Sequence, residues 1–307
     1  MGQRSNPVEV LAEGLAHPEG GDVLPDGRVV FVETFQGRVS AWGPEEGVRP
    51  YAEFGGGPNS CAVGTDGVYI TQTGGEIGGW RAPEVTAPSI QKRASGREVE
   101  TLVTSVDGAP LICPNDLAFG REGQLYFTDP GQWNPDEPEE GRICVLEPDG
   151  SASVVVEPGP TYPNGLACHS DGSFVWSESY TRTIRRRKPN GEIELLATLP
   201  EDRIVDGLKF AENGDLYITG ITSAGVDVLS PGGEVDGFIH TGGEPQNCVF
   251  KGDALYIADF GLIPQFGPDG MRAAAEEGRL LRVPTEVGGA PMFHGSIEPP
   301  GSGRAAA

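Results

Sequence analysis

One pattern recurs six times along this chain: a polar residue, a short apolar run, a tight turn and a second apolar run. It begins at His17 ("HPEGGDVLPDGRVVFVET"), Gly57 ("GPNSCAVGTDGVYITQT") and Cys113 ("CPNDLAFGREGQLYFTDP"). It returns at Tyr162 ("YPNGLACHSDGSFVWSES"), Ile204 ("IVDGLKFAENGDLYITG") and Glu244 ("EPQNCVFKGDALYIADF"). Aligned on the first polar residue, the units give Glu19, Asn59, Asn115, Asn164, Asp206 and Asn247, at steps of 40, 56, 49, 42 and 41 residues. The shorter steps match the propeller-blade period of about 40–50 residues. The turns Pro25-Asp26-Gly27, Asp66-Gly67, Glu122-Gly123, Asp171-Gly172 and Asn213-Gly214 predict hairpins that exploit positive φ. A weaker strand pair follows each hairpin, such as "GRVSAW" with "VRPYAEF".

Four antiparallel strands in each of six units predict an all-β, six-bladed β-propeller as a single domain over residues 1–307. Residues 7–15 ("PVEVLAEGL") read as an orphan strand. It would complete the sixth blade beside "GRLLRVP" near Arg279 and remove the open edge. Residues 81–100 read as an elongated outer hairpin, and residues 284–307 as a partly flexible C-terminal segment. The 47 glycines and 27 prolines suit short strands and tight turns.

The formal charge of −23 argues against a nucleic-acid partner, which needs a basic patch. Five cysteines without CxxC spacing argue against a disulfide framework or a zinc site, so Cys61, Cys168 and Cys248 are expected as buried thiols. No basic start leads into an apolar run, and no stretch approaches the ~20 apolar residues of a membrane span. A soluble, cytoplasmic protein is therefore expected, with no signal of its oligomeric state.

With each first strand innermost, the six aligned polar residues should ring one mouth of the central channel. Two carboxylates and four amides make an all-oxygen set suited to a hard cation, calcium before magnesium, manganese, zinc or ferrous iron. Glu19, Asn115, Asn164 and Asp206 are the candidate metal ligands, and Asn59 and Asn247 are expected to orient them. The competing explanation is that Asn and Asp before Gly are ordinary turn residues. Six in register favour the site. Asn115, Asp116, Asp129, Trp133, Glu178 and Tyr180 are the candidate substrate contacts, with Trp80 and Phe260 as pocket walls. His17 and His240 lie near the same face, whereas His169 and His294 do not. GxSxG and HExxH motifs are absent.

At these residues the chain resembles the SMP-30/gluconolactonase/LRE-like family, related to diisopropyl-fluorophosphatase-type propellers. "HPEG", "PNDLAF", "YPNGLA", "VDGLKF" and "QNCVFKGDALYIAD" carry the resemblance, in order, from about residue 13 to about residue 283. It implies one divalent cation at the channel mouth, usually calcium, and hydrolysis of a lactone or ester-like small molecule. Glu19, Asn164 and Asp206 match the core ligands, Asn115 completes the site, and Asp206 is the implied base or nucleophile. One departure stands out. Sugar-lactone members carry an Arg two residues before the Asn of the third motif, where this chain has Cys113. Losing that guanidinium fork points toward a less polar lactone or another ester-like substrate. Other readings are an organophosphate hydrolase on the same metal, a propeller lyase or condensing enzyme, and a non-catalytic binding propeller.

Overall fold

Each recurrence forms one four-stranded antiparallel sheet. The computed structural model describes residues 7–77, 80–262, 266–267, 270–271 and 276–299. Its six inner strands are Pro18–Val23, Pro58–Val63, Leu117–Phe119, Pro163–Cys168, Val205–Phe210 and Pro245–Lys251. Neighbouring inner strands touch in cyclic order, and the sixth meets the first. The sixth sheet runs Pro245–Lys251, Ala254–Asp259, Gly278–Pro284 and then Glu9–Leu15, so the chain's first strand completes its last blade. Val10 pairs with Leu281 and Leu15 with Gly278, antiparallel. The fold is a closed six-bladed β-propeller.

Both faces of every blade meet a neighbour, which explains why second strands such as Phe174–Glu178 are buried at every residue. One apolar cluster fills each gap between blades. Val32 and Ile70 join blades one and two, Phe119 and Tyr69 join two and three, and Trp176 and Ile143 join three and four. Leu208 and Val175 join four and five, Val228 and Ile257 join five and six, and Phe31 and Leu280 close the circle. Cutting any of the larger side chains back to Ala should cost about 2–5 kcal/mol.

Most of the hairpin turns carry a single left-handed residue. In the fourth blade, Gly172 N–H donates to the His169 carbonyl, and His169 N–H donates to the Ser173 carbonyl. A turn is followed by one left-handed residue, and that residue is Gly27, Gly123, Gly172 or Gly214. Its acidic or amide neighbour has a separate task. Asp26, Asp171 and Asn213 accept from the backbone N–H two residues on. In the second blade Gly67 is not left-handed, and a Cβ there would press on the Arg93 carbonyl. It is glycine for want of space.

Two segments depart from expectation. Ser89–Arg93 pairs directly with Val68–Gln72 as the blade's third strand. The extra chain length before it therefore forms a loop at the channel mouth, carrying Ile77 and Trp80, while only the second half of the 81–100 segment belongs to the outer hairpin. The C-terminal residues 285–299 form a packed strap across the opposite end of the channel. Glu212, Ala290, Thr65 and Glu298 tie it by backbone hydrogen bonds, and Ile297 is fully buried. Residues 300–307 lie outside the described residues.

Candidate active site

A backbone irregularity sits at the ring position in five of the six blades. Strand register slips between Glu19 and Gly21, Pro58 and Ser60, Pro163 and Leu166, Val205 and Leu208, and Pro245 and Asn247. Such bulges re-aim a side chain, and here they turn the polar residue toward the axis. The bulge also exposes the next amide, which Glu19 and Asn247 accept through their own side chains. Gly20, Gly165 and Gly207 follow three of the ring residues, and none has positive φ. They are not turn residues. A Cβ on Gly20 would overlap the Ser60 hydroxyl, one on Gly165 the Asp206 carbonyl, and one on Gly207 the Asn247 side chain. Glycine lets six strands converge on one axis.

Hydroxyls then fix the ring residues from behind. Thr71 Oγ1 donates to the Asn115 carbonyl at 2.5 Å, and Thr128 Oγ1 donates to that of Asn164 at 2.9 Å. Ser177 Oγ reaches the Asp206 carbonyl at 2.6 Å, and Thr219 Oγ1 reaches that of Gln246 at 2.6 Å. In each case the second strand of one blade holds the inner strand of the next.

The result is a buried cavity with polar groups on one side and apolar ones on the other. Glu19, Asn59, Asn115, Asn164, Asp206 and Gln246 line it, with His17, Ile77, Trp133, Tyr162, Ile221 and Phe260 around them. Glu19, Asn164 and Asp206 are at most 6% exposed. Burial pushes the Glu19 carboxyl well above the usual range, and the charges of Asp206 and Asp116 push it further. Burial raises Asp206 likewise, with Asp116 adding to it. Asn164 donates through Nδ2 to Ser179, while its buried Oδ1 has no partner. Among the described residues no three His, Cys, Asp or Glu side chains converge on one point. Two carboxylates therefore need amide oxygens to complete a donor set, and Asn164 Oδ1 is an orphaned one. These residues fit a hard divalent cation.

Of the other expected contacts, Asn115 and Trp133 line the cavity, whereas Asp116, Asp129, Glu178, Tyr180 and Asn247 do not. Asn115 lies two residues ahead of its strand, half-buried, and its side chain bonds Tyr162. Asp116 is buried at the axis, accepting from Ser60 Oγ, Leu117 N–H and Leu166 N–H. Asn247 packs against Gly207, away from the cavity wall. Asp129 and Glu178, expected to meet substrate, are locked in ion pairs. Asp129 pairs with Arg142 at 2.8 Å and takes the Cys113 N–H, and Glu178 pairs with Arg185 at 3.1 Å and takes Trp176 Nε1. Glu33 with Arg38 and Asp259 with Arg279 repeat the device. An acid closing the second strand meets an Arg on the third, which fastens the blade's mouth end.

Trp133 reaches the cavity, and Tyr180 supports it from behind with rings 5.0 Å apart. The Tyr180 hydroxyl accepts Asn134 N–H at 2.8 Å. Trp80 stacks on Phe35, which stacks on His17, which stacks on Phe260. Burial drives the His17 imidazole down to about 3, so it stays neutral. Tyr162, Ile77, Ile221 and Gln246 are cavity residues that sequence reasoning missed. Tyr162 had a legible signal. "HPE" and "YPN" place His17 and Tyr162 two residues before a ring residue, and both take left-handed backbone, φ 60° and 56°.

Fold and site together define a closed propeller with a buried carboxylate–amide ring at one channel mouth. A model of the SMP-30/gluconolactonase/LRE-like region matches residues 12–259, and the chain belongs to that family. A gluconolactonase of Zymomonas mobilis is 27% identical over 298 residues, covering 83% of this chain and 79% of that protein. Among solved structures, a gluconolactonase of Xanthomonas campestris superposes with TM-score 0.72 at 20% identity, covering 92% of this chain and 90% of that one. Regucalcin of Agrobacterium tumefaciens, a calcium-binding protein, superposes with TM-score 0.74 at 14% identity, covering 95% and 98%. Those structures speak for the fold.

Proposed function

We propose that this protein is a cation-dependent lactonase, opening a lactone to its hydroxy acid. The observation that carries the reading is the orphaned Asn164 Oδ1 beside two buried carboxylates, Glu19 and Asp206, in one cavity. Kinship with the gluconolactonase of Zymomonas mobilis supports the reaction class, and likeness to a calcium-binding regucalcin supports the ion. Glu19, Asn164 and Asp206 would hold the cation, with Asn115 completing the set. When bound, the ion supplies Lewis-acid polarisation of the lactone carbonyl. Trp133, Tyr162, Ile221 and Phe260 exclude bulk water and pack the apolar side of the ring substrate. Asp206 is the base. One of its carboxylate oxygens takes a proton from water as the water oxygen bonds the carbonyl carbon. The ring C–O bond then breaks, and its oxygen leaves with that proton as the product hydroxyl. Attack by Asp206 itself is the alternative route to the same product.

Purified protein should hydrolyse lactones, lose the activity on chelation and regain it on adding calcium. Asp206→Asn that still takes up the ion should lose about 10²–10⁴-fold in kcat. Activity untouched by chelation sinks the reading. Phosphoester cleavage without lactone cleavage would transfer the site to organophosphate hydrolysis.

A further inference from the structure

The channel has a second chamber at the end opposite the ring, of about 60 Å³. Its wall is mainly apolar, built from residues such as Leu117, Phe119, Leu166, Phe210 and Phe250, and Pro291–Phe293 of the strap roof it. Gly20 and Gly207, packed against Ser60 and Asn247, stand along their strands between residues of the mouth cavity and residues of this chamber.

We propose that this chamber is a separate binding site for a small monocarboxylate with a short apolar tail, held by Lys209. Lys209 stands on the inner strand Val205–Phe210 and lines the chamber. Its ammonium carries three donors. One goes to the Leu208 carbonyl at 3.2 Å, and among the described residues no carboxylate lies within 4.0 Å of it. Asp22 is the other charged wall residue, and its two oxygens are spent on Val23 N–H and Val63 N–H, each at 2.7 Å. Lys209 shares the chamber wall with Asp22, the buried Cys61 and the half-buried Cys168.

A cation with unspent donors in an apolar chamber matches a ligand with a two-oxygen anionic head and a hydrocarbon body. The volume admits roughly four to six water-sized groups, which suits a short-chain carboxylate and excludes a hydroxylated sugar acid.

Met292 lines the chamber and is one of three methionines, which makes its methyl group a clean reporter. The full chain, labelled at methionine methyls, is titrated with sodium butyrate and followed by NMR. Met292→Leu assigns the resonance. A saturable shift of Met292 alone is expected, with affinity weakened at least about tenfold in Lys209→Gln and for uncharged n-butanol. Unchanged melting temperature and lactone hydrolysis in Lys209→Gln establish that the variant is folded. Absence of a saturable Met292 shift means that the chamber holds water only and overturns the proposal. Equal affinity in Lys209→Gln overturns it as well.

Discussion

Gly207 shapes the candidate site through the side chain it lacks. Its Cα faces Asn247 so closely that a methyl group would force that amide and Gly207's own strand apart, and that strand presents Asp206. Gly207→Ala should therefore lower stability by about 1–3 kcal/mol and weaken calcium uptake with it. Thermal denaturation with and without calcium measures both effects. From the sequence, a single Asn-Gly or Asp-Gly reads first as a turn, and only six in register favour the site. The missing discriminator is backbone direction, which depends on five other blades. His17 supports a different test. Folded, it stays neutral down to about 3, whereas the unfolded chain protonates near 6.5. The unfolded state thus binds the extra proton between those limits, and stability falls as pH drops from about 6.5 toward about 3. His17→Phe suits the stack with Phe35 and Phe260 and removes the proton from both states. Urea unfolding across that window should show a slope shallower by up to about 1.4 kcal/mol per pH unit.

Between elements, the hydroxyl latches carry positioning from blade to blade. Ser177→Ala leaves the buried Asp206 carbonyl without its 2.6 Å donor. The expected cost is about 1–3 kcal/mol in stability. The calcium requirement for lactone hydrolysis should rise with it, read from activity against free calcium. Strands and blade order were legible because apolar alternation and Gly-bearing turns are local signals. The latches and the acid–Arg fasteners were not, because each joins strands whose facing partners only the folded register decides. Asp129 and Glu178 show the consequence. An acid at a strand end near the mouth resembles a substrate contact until Arg142 and Arg185 are seen opposite. Asn115 shows a milder form, since its blade begins its inner strand only at Leu117.

For the whole molecule, one pairing, Glu9–Leu15 against Gly278–Pro284, completes the sixth blade. Deleting residues 1–15 should expose the edge of Gly278–Pro284 and produce concentration-dependent association, visible by light scattering. A monomer of unchanged melting temperature would contradict that role. The count of six blades and the orphan first strand made closure legible. The strap over the far end was not, because residues 285–299 carry no alternation and gain their place only from the finished ring. The closing pair also orders the molecule in time. Its partners are separated by nearly the whole chain, so it pairs only after synthesis has passed Pro284. A nascent chain halted earlier holds Glu19, Asn164 and Asp206 on blades that are not yet a circle. The ring of donors is expected to reach its final shape only once that pairing has formed, so a filled ring would report that the polypeptide has been made to the end of its sixth blade.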